Sequence, residues 1–128
     1  HPLMRGFDEY FLAPHSRYTG VSTEDIQNDP RLELLSYSDE AGPYIIGTRD
    51  GRQFFITGHS EYDRATLAGE YFRDIGKGLD AQLPCNYFPD DDPSKTPPYL
   101  WRAHANLLFA NWLNYFVYQR TPYDLSNL

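Results

Sequence analysis

The chain has 128 residues, 41% hydrophobic and 16% aromatic, which is enough for one domain or a piece of one and too aromatic for a disordered tail. A net charge of −7, with no cluster of Lys or Arg, argues against a nucleic-acid or anionic-membrane partner. The single cysteine, Cys85, excludes an internal disulfide and fits a reducing, cytoplasmic setting, and no apolar run approaches the roughly 20 residues of a membrane span.

The chain opens His1-Pro2-Leu3, with Met4 inside it, and reads as a cut or truncated start. In "RGFDEYFLAPHSRYTGV" the run Phe7–Phe11 suits a short helix or turn, and His15–Tyr18 reads as a loop entering a short strand. Ser22 or Thr23 then caps one or two helical turns whose first turn is acidic, and Pro30 stops them. Strands are expected over about 32–38, 44–48 and 53–57. Asp50-Gly51 suits a two-residue hairpin turn, because glycine tolerates positive φ.

A helix follows His59, with Asp63 as its cap, Leu67, Tyr71 and Ile75 at a spacing of four, and Gly76 and Gly78 at its end. Residues 79–100 form a long Pro- and Asp-rich loop, of a length that is usually functional or packed over something. The last helix runs from about 101 to 118. Trp101, Ala105, Leu108, Trp112 and Phe116 line one face, and Asn106, Asn111 and Asn114 lie on the other side. The tail "TPYDLSNL" leaves it at Pro122.

The chemistry concentrates in "TGHSEYD", at the end of the third strand. Extended geometry carried past Gly58 would put His59 and Glu61 on one side. A carboxylate accepting from one ring nitrogen fixes the tautomer and leaves the other free as a base. Such a pair is two thirds of a nucleophile–His–acid triad, although a His-x-Glu pair also serves as plain surface structure or, more rarely, binds metal. The chain supplies no convincing nucleophile. Cys85 in "LPCNYFP" lacks the tight glycine-flanked turn that presents one, and Ser16, Ser22 and Ser60 lack it too.

Five stretches extend this reading: "RGFDEYFLAPHSRYT", "DGRQFFITGHSEYD", "EYFRDIGKGLD", "NYFPDDDPSKTP" and "WRAHANLLFANWLNYFVYQRTPYDL". Together they resemble the C-terminal part of homoserine O-succinyltransferase, in the family's order and over nearly the whole chain. The resemblance implies an α/β, class I glutamine-amidotransferase-like (flavodoxin-like, three-layer) fold, of which residues 1–128 would be the C-terminal part. It implies acyl transfer from succinyl-CoA or acetyl-CoA to L-homoserine in methionine biosynthesis, through a Cys acyl-enzyme, in a homodimer, with no cofactor and no metal.

By resemblance His59 is the catalytic base and Glu61 orients it. Ser16 contacts substrate, and Arg73 holds the homoserine carboxylate, a task that suits a bidentate guanidinium. Ser60 stands where many members have Pro, a change expected to affect only turn stiffness. Cys85 stands where members often have Tyr. The nucleophilic Cys would lie in an N-terminal part outside this chain, so the sheet and the last helix should leave apolar surface uncovered. The sheet is expected to be of the parallel type, buried on both faces. Two alternatives remain: another Cys-His-Glu amidotransferase or hydrolase of the same fold, or a non-catalytic module derived from it.

Overall fold

A computed structural model describes residues 1–122, 124 and 126; Tyr123 and Leu125 of the matched tail lie outside the described residues. The architecture is α/β. A three-stranded sheet in the order β1 (Leu32–Ser38), β2 (Gly42–Thr48), β3 (Phe54–Ile56) is accompanied by α1 (Thr23–Asn28), α2 (Thr66–Gly76) and α3 (Arg102–Trp112).

Both strand pairs are antiparallel, as the hairpin reading at Asp50-Gly51 implied for β2 and β3, and this corrects the expectation of a parallel-type sheet. The connections explain it. Short turns, not crossover helices, join the strands, and a parallel pair needs a crossover of a dozen or more residues. The β2–β3 turn also differs from the two-residue hairpin expected. Thr48 donates its amide to Gln53 O at 2.9 Å, so four residues, 49–52, lie between the closing pair, with Gly51 at φ +67°.

Ser22 caps α1, its hydroxyl accepting from the Asp25 amide at 3.2 Å. No helix forms over 7–11 and no strand follows Tyr18; the segment from Phe11 to Arg17 runs as an irregular strap. Pro14 O and the Arg17 side chain bond across to the β2–β3 end of the sheet and hold the strap without a helix or a ladder.

α2 begins three residues after Asp63, whose carboxylate accepts from the amides of Ala65 and Thr66 at 2.8 and 2.9 Å. Residues 61–65 therefore curl before the helix starts, and no straight helix separates Glu61 from Arg73. α3 continues as wider π-type turns over Leu113–Tyr118. Asn111, expected on the polar face, is buried: its amide donates to Leu3 O at 2.9 Å and Arg5 O at 2.8 Å. Periodicity could not show that the N-terminal turn (Pro2–Met4) lies across that face.

Two apolar clusters hold these parts. One joins Leu3, Tyr44, Ile45 and Leu108; the other joins Leu67, Tyr87, Phe88 and Trp101. The second shows what the long loop does. Tyr87 lies under the start of α2, its hydroxyl accepting from the Ala68 amide at 3.2 Å and donating to Arg64 O at 2.5 Å. Trp101 and Leu108 are 5% and 4% exposed, while Trp112 is 43% exposed and Phe72, Ile75 and Phe109 are also open to solvent.

Candidate active site

The site is built where β3 runs out. The Thr57 amide still pairs with Tyr44 O at 3.0 Å, and the next hydrogen bonds belong to the strap: the His59 amide donates to Pro14 O at 2.8 Å. Gly58 makes that approach possible. A Cβ there would sit 2.8 Å from Pro14 O, 2.8 Å from the Tyr44 ring and 3.0 Å from the His15 ring. Here the glycine is needed for space, not for an unusual φ.

A turn follows, closed by the Tyr62 amide on His59 O at 3.2 Å. It brings the Glu61 carboxylate to 2.7 Å from His59 Nδ1. His59 and Glu61 are thus paired as expected, but by a turn instead of continued extension. The carboxylate accepts the Nδ1 proton, which leaves Nε2 as the lone-pair-bearing nitrogen. Both side chains reach solvent, at 35% and 60% exposure. Burial raises the Glu61 pKa, but the bond from His59, a backbone amide and the nearby imidazole together outweigh it and hold the carboxyl below its usual range.

Ser60, between them, is buried and its hydroxyl is hydrogen-bonded to the Tyr44 hydroxyl. Its role is therefore more than turn stiffness: it ties the site's turn to the central strand.

The strap supplies Ser16 and its neighbours. Arg17 donates to Thr57 O at 3.1 Å and to His15 Nδ1 at 2.7 Å, and it also reaches Ala41 O. An arginine cannot accept, so His15 must offer Nδ1 as a lone pair and carry its proton on Nε2. Burial first, then Arg17, then His59 lower the His15 pKa from 6.5 to about 4. Ser16 is half-buried between this histidine and Tyr18. The Tyr18 hydroxyl donates to Asp74 Oδ2 at 3.0 Å, and Arg73 Nε donates to the other oxygen of Asp74 at 2.8 Å. The strap thereby connects the His59 end of the sheet to the part of α2 that carries Arg73. Neither Nη of Arg73 is hydrogen-bonded among the described residues.

Sequence-family comparison decides what this arrangement belongs to. The family model for homoserine O-succinyltransferase matches residues 1–123. The chain belongs to that family. It is 66% identical over 125 residues to a homoserine O-acetyltransferase of Brevibacillus brevis, covering 98% of this chain and 41% of that protein. It is 62% identical to one from Acetivibrio thermocellus and 57% to one from Thermotoga petrophila, each over 126 residues and again 98% of this chain. The chain thus spans about 41% of the length of these curated relatives.

Within this member of the homoserine O-succinyltransferase family, the sequence reading passed over Tyr62, which lies against His59, and Glu70, which lies behind Tyr62. The Tyr62 ring is stacked on His59 with centroids 4.3 Å apart and planes at 13°, and its hydroxyl donates to Glu70 Oε1 at 2.9 Å. Burial, then Glu70, pushes the Tyr62 hydroxyl up to about 12. The other oxygen of Glu70 is buried without a hydrogen bond among the described residues. The signal for Glu70 was its place three residues before Arg73, one helical step that puts both on a common face. Cys85 is exposed in the long loop and is not bonded to His59.

Proposed function

We propose that this chain is the C-terminal part of a homoserine O-acyltransferase. The complete protein would transfer an acetyl or succinyl group from acyl-CoA to the hydroxyl of L-homoserine, in the cytoplasm, as a homodimer and without a metal or cofactor. The observation that carries the reading is the Glu61–His59 hydrogen bond at the end of β3, which leaves Nε2 free as a base.

In the proposed route a cysteine outside this chain attacks the thioester carbonyl of acyl-CoA, and the carbon–sulfur bond to CoA breaks. His59 first takes the thiol proton and then gives it to the departing CoA sulfur. In the second half His59 accepts the proton of the homoserine hydroxyl as that oxygen attacks the acyl-cysteine, and returns it to the cysteine sulfur. Glu61 keeps the imidazole oriented and stabilises its protonated form at each stage. Arg73 offers two unpaired Nη groups, a fit for the amino acid's carboxylate, while Glu70 offers a buried orphan oxygen, a fit for its ammonium. Ser16, half-buried on the strap, contacts the substrate in this reading.

Exposed Phe72, Ile75, Phe109 and Trp112 support the reading of residues 1–128 as part of a larger catalytic domain with a class I glutamine-amidotransferase-like fold, since such surface is what a further layer would cover. The names of the relatives favour acetyl-CoA as donor. The test is release of CoA by the complete protein from acetyl-CoA and from succinyl-CoA, with homoserine present or absent. Homoserine-dependent release that disappears in His59→Gln is the expected result. Hydrolysis of glutamine without acyl transfer would point instead to an amidotransferase, and no turnover of either kind to a non-catalytic module.

A further inference from the structure

We propose that Tyr62 is a positioning residue for His59: its stacked ring, held by two helices, fixes the plane in which the imidazole meets Glu61. The proposal rests on the reading of His59 as the base.

A single hydrogen bond does not hold this ring. The Glu61 carboxylate is 60% exposed, and its bond to Nδ1 competes with water. A hydrogen bond in such a setting exchanges with bonds to water, so it alone restrains the ring only modestly. The chain before the ring is fixed, because the His59 amide is bonded to Pro14 O, but that leaves both side-chain torsions free. Tyr62 restrains them. With centroids 4.3 Å apart and planes at 13°, it covers one face of the imidazole and blocks rotation out of the plane. The division of labour is geometric: the stack sets the plane of the ring, and the carboxylate chooses which edge carries the proton.

Tyr62 can do this because it is itself anchored at both ends. Its hydroxyl donates to Glu70 Oε1 on α2 at 2.9 Å, and its carbonyl accepts from Trp101 Nε1, just before α3, at 2.8 Å. Trp101 is 5% exposed and packs with Leu67, Tyr87 and Phe88, so the anchor is part of a core. A phenol held up at about 12 remains a donor at any working pH, so the Glu70 bond does not lapse. Tyr62 therefore passes the rigidity of the α2–α3 cluster to a catalytic ring on a half-exposed turn, where the ring would otherwise sample several rotamers.

A merely structural Tyr62 would fill space beside the cluster without governing the imidazole. The distinguishing measurement is the histidine tautomer in the complete protein, read from the side-chain ¹⁵N shifts of His59 and assigned by their loss in His59→Gln. The parent should show one tautomer, with a pyrrole-like Nδ1 and a pyridine-like Nε2. Tyr62→Phe keeps the stack and the Trp101 bond but loses the Glu70 anchor, so its shifts should stay close to the parent's and well short of the averaging in Tyr62→Leu. Tyr62→Leu removes it, and both nitrogens should move toward averaged values while kcat falls by about ten- to a hundredfold with KM for the amino acid little changed. Tyr62→Met, whose flexible side chain refills the space, serves if the Leu variant does not fold. A single tautomer and parental kcat in the folded Leu or Met variant would overturn the proposal. So would a Phe variant as impaired as Leu, which would assign the role to the hydroxyl. A parent that does not acylate homoserine would sink the functional reading alone, since the tautomer measurement stands without it.

Discussion

The two ends of β3 are both made by glycine, and for opposite reasons. At the Asp50 end Gly51 adopts φ +67°, a conformation that costs an L side chain about 1–2 kcal/mol, and the atoms near its missing Cβ are the Nη tips of Arg120 at 2.8 Å. At the His59 end the conformation of Gly58 is ordinary, but the atoms around its missing Cβ are a backbone carbonyl and two rings. A flexible guanidinium gives way to a methyl group; a carbonyl that accepts the His59 amide cannot. One glycine shapes a turn, and the other lets the strap dock beside the His59–Glu61 pair.

The largest expected effect separates chemistry from scaffold. His59→Gln in the complete protein should lower kcat by about 10²–10⁴-fold, the usual contribution of a general base. Its melting temperature should stay near the parent's, because the side chain is half-exposed. A parallel loss of stability would mean that His59 is a strut of this end of the sheet instead.

Gly58→Ala comes next. It should cost about 1–3 kcal/mol, as overpacking does, and should take the acyl transfer with it by pushing the strap off the His59 amide. Denaturant unfolding together with the CoA-release assay tests this; a stable and active Gly58→Ala would show that the strap is not needed.

Strap docking should also depend on pH through His15. Its folded value, about 4, lies below the ordinary 6.5, so between these pH values the unfolded chain holds a proton that the folded chain does not. The contribution of neutral His15 is therefore complete above pH 6.5 and declines as pH falls through about 4. Thermal melts from pH 7 to 4 should show a shallower slope in His15→Asn than in the parent. Equal slopes would remove His15 from the account.

The smallest effect belongs to the turn. Gly51→Ala should cost about 1–2 kcal/mol through its positive φ and leave kcat unchanged. A drop in kcat would show that the two ends of β3 are coupled, and the contrast between the glycines would fail.

Much of this was legible in the residues. The spacing of Leu67 and Tyr71, the acidic first turn after Ser22 and the β-rich run before Gly58 set the main helices and strands, because each is a local preference. "GHSEYD" marked the candidate site, and the pairing of His59 with Glu61 was expected from their spacing, although a turn and not continued extension makes it. Other features depended on contacts between distant segments. Asn111 reads as polar surface until residues 3–5 are laid over it. Ser60 reads as a loop hydroxyl until Tyr44, sixteen residues earlier, meets it in the interior. Tyr62 reads as one aromatic among many until its ring lies on an imidazole and its hydroxyl on α2.

The sequence by itself determined the main helices and strands, the net negative charge, the family and the spacing that lets His59 meet Glu61. Local hydrogen bonding, burial period and a distinctive order of motifs need no knowledge of what lies across the fold. Only the tertiary structure decided how the strap docks, with Pro14 O on the His59 amide and the Tyr18 hydroxyl on Asp74 beside Arg73, and that the Tyr62 ring stacks on His59 while its hydroxyl reaches Glu70. Those outcomes depend on which surfaces meet, and the free energy of that meeting is shared among residues far apart in the chain.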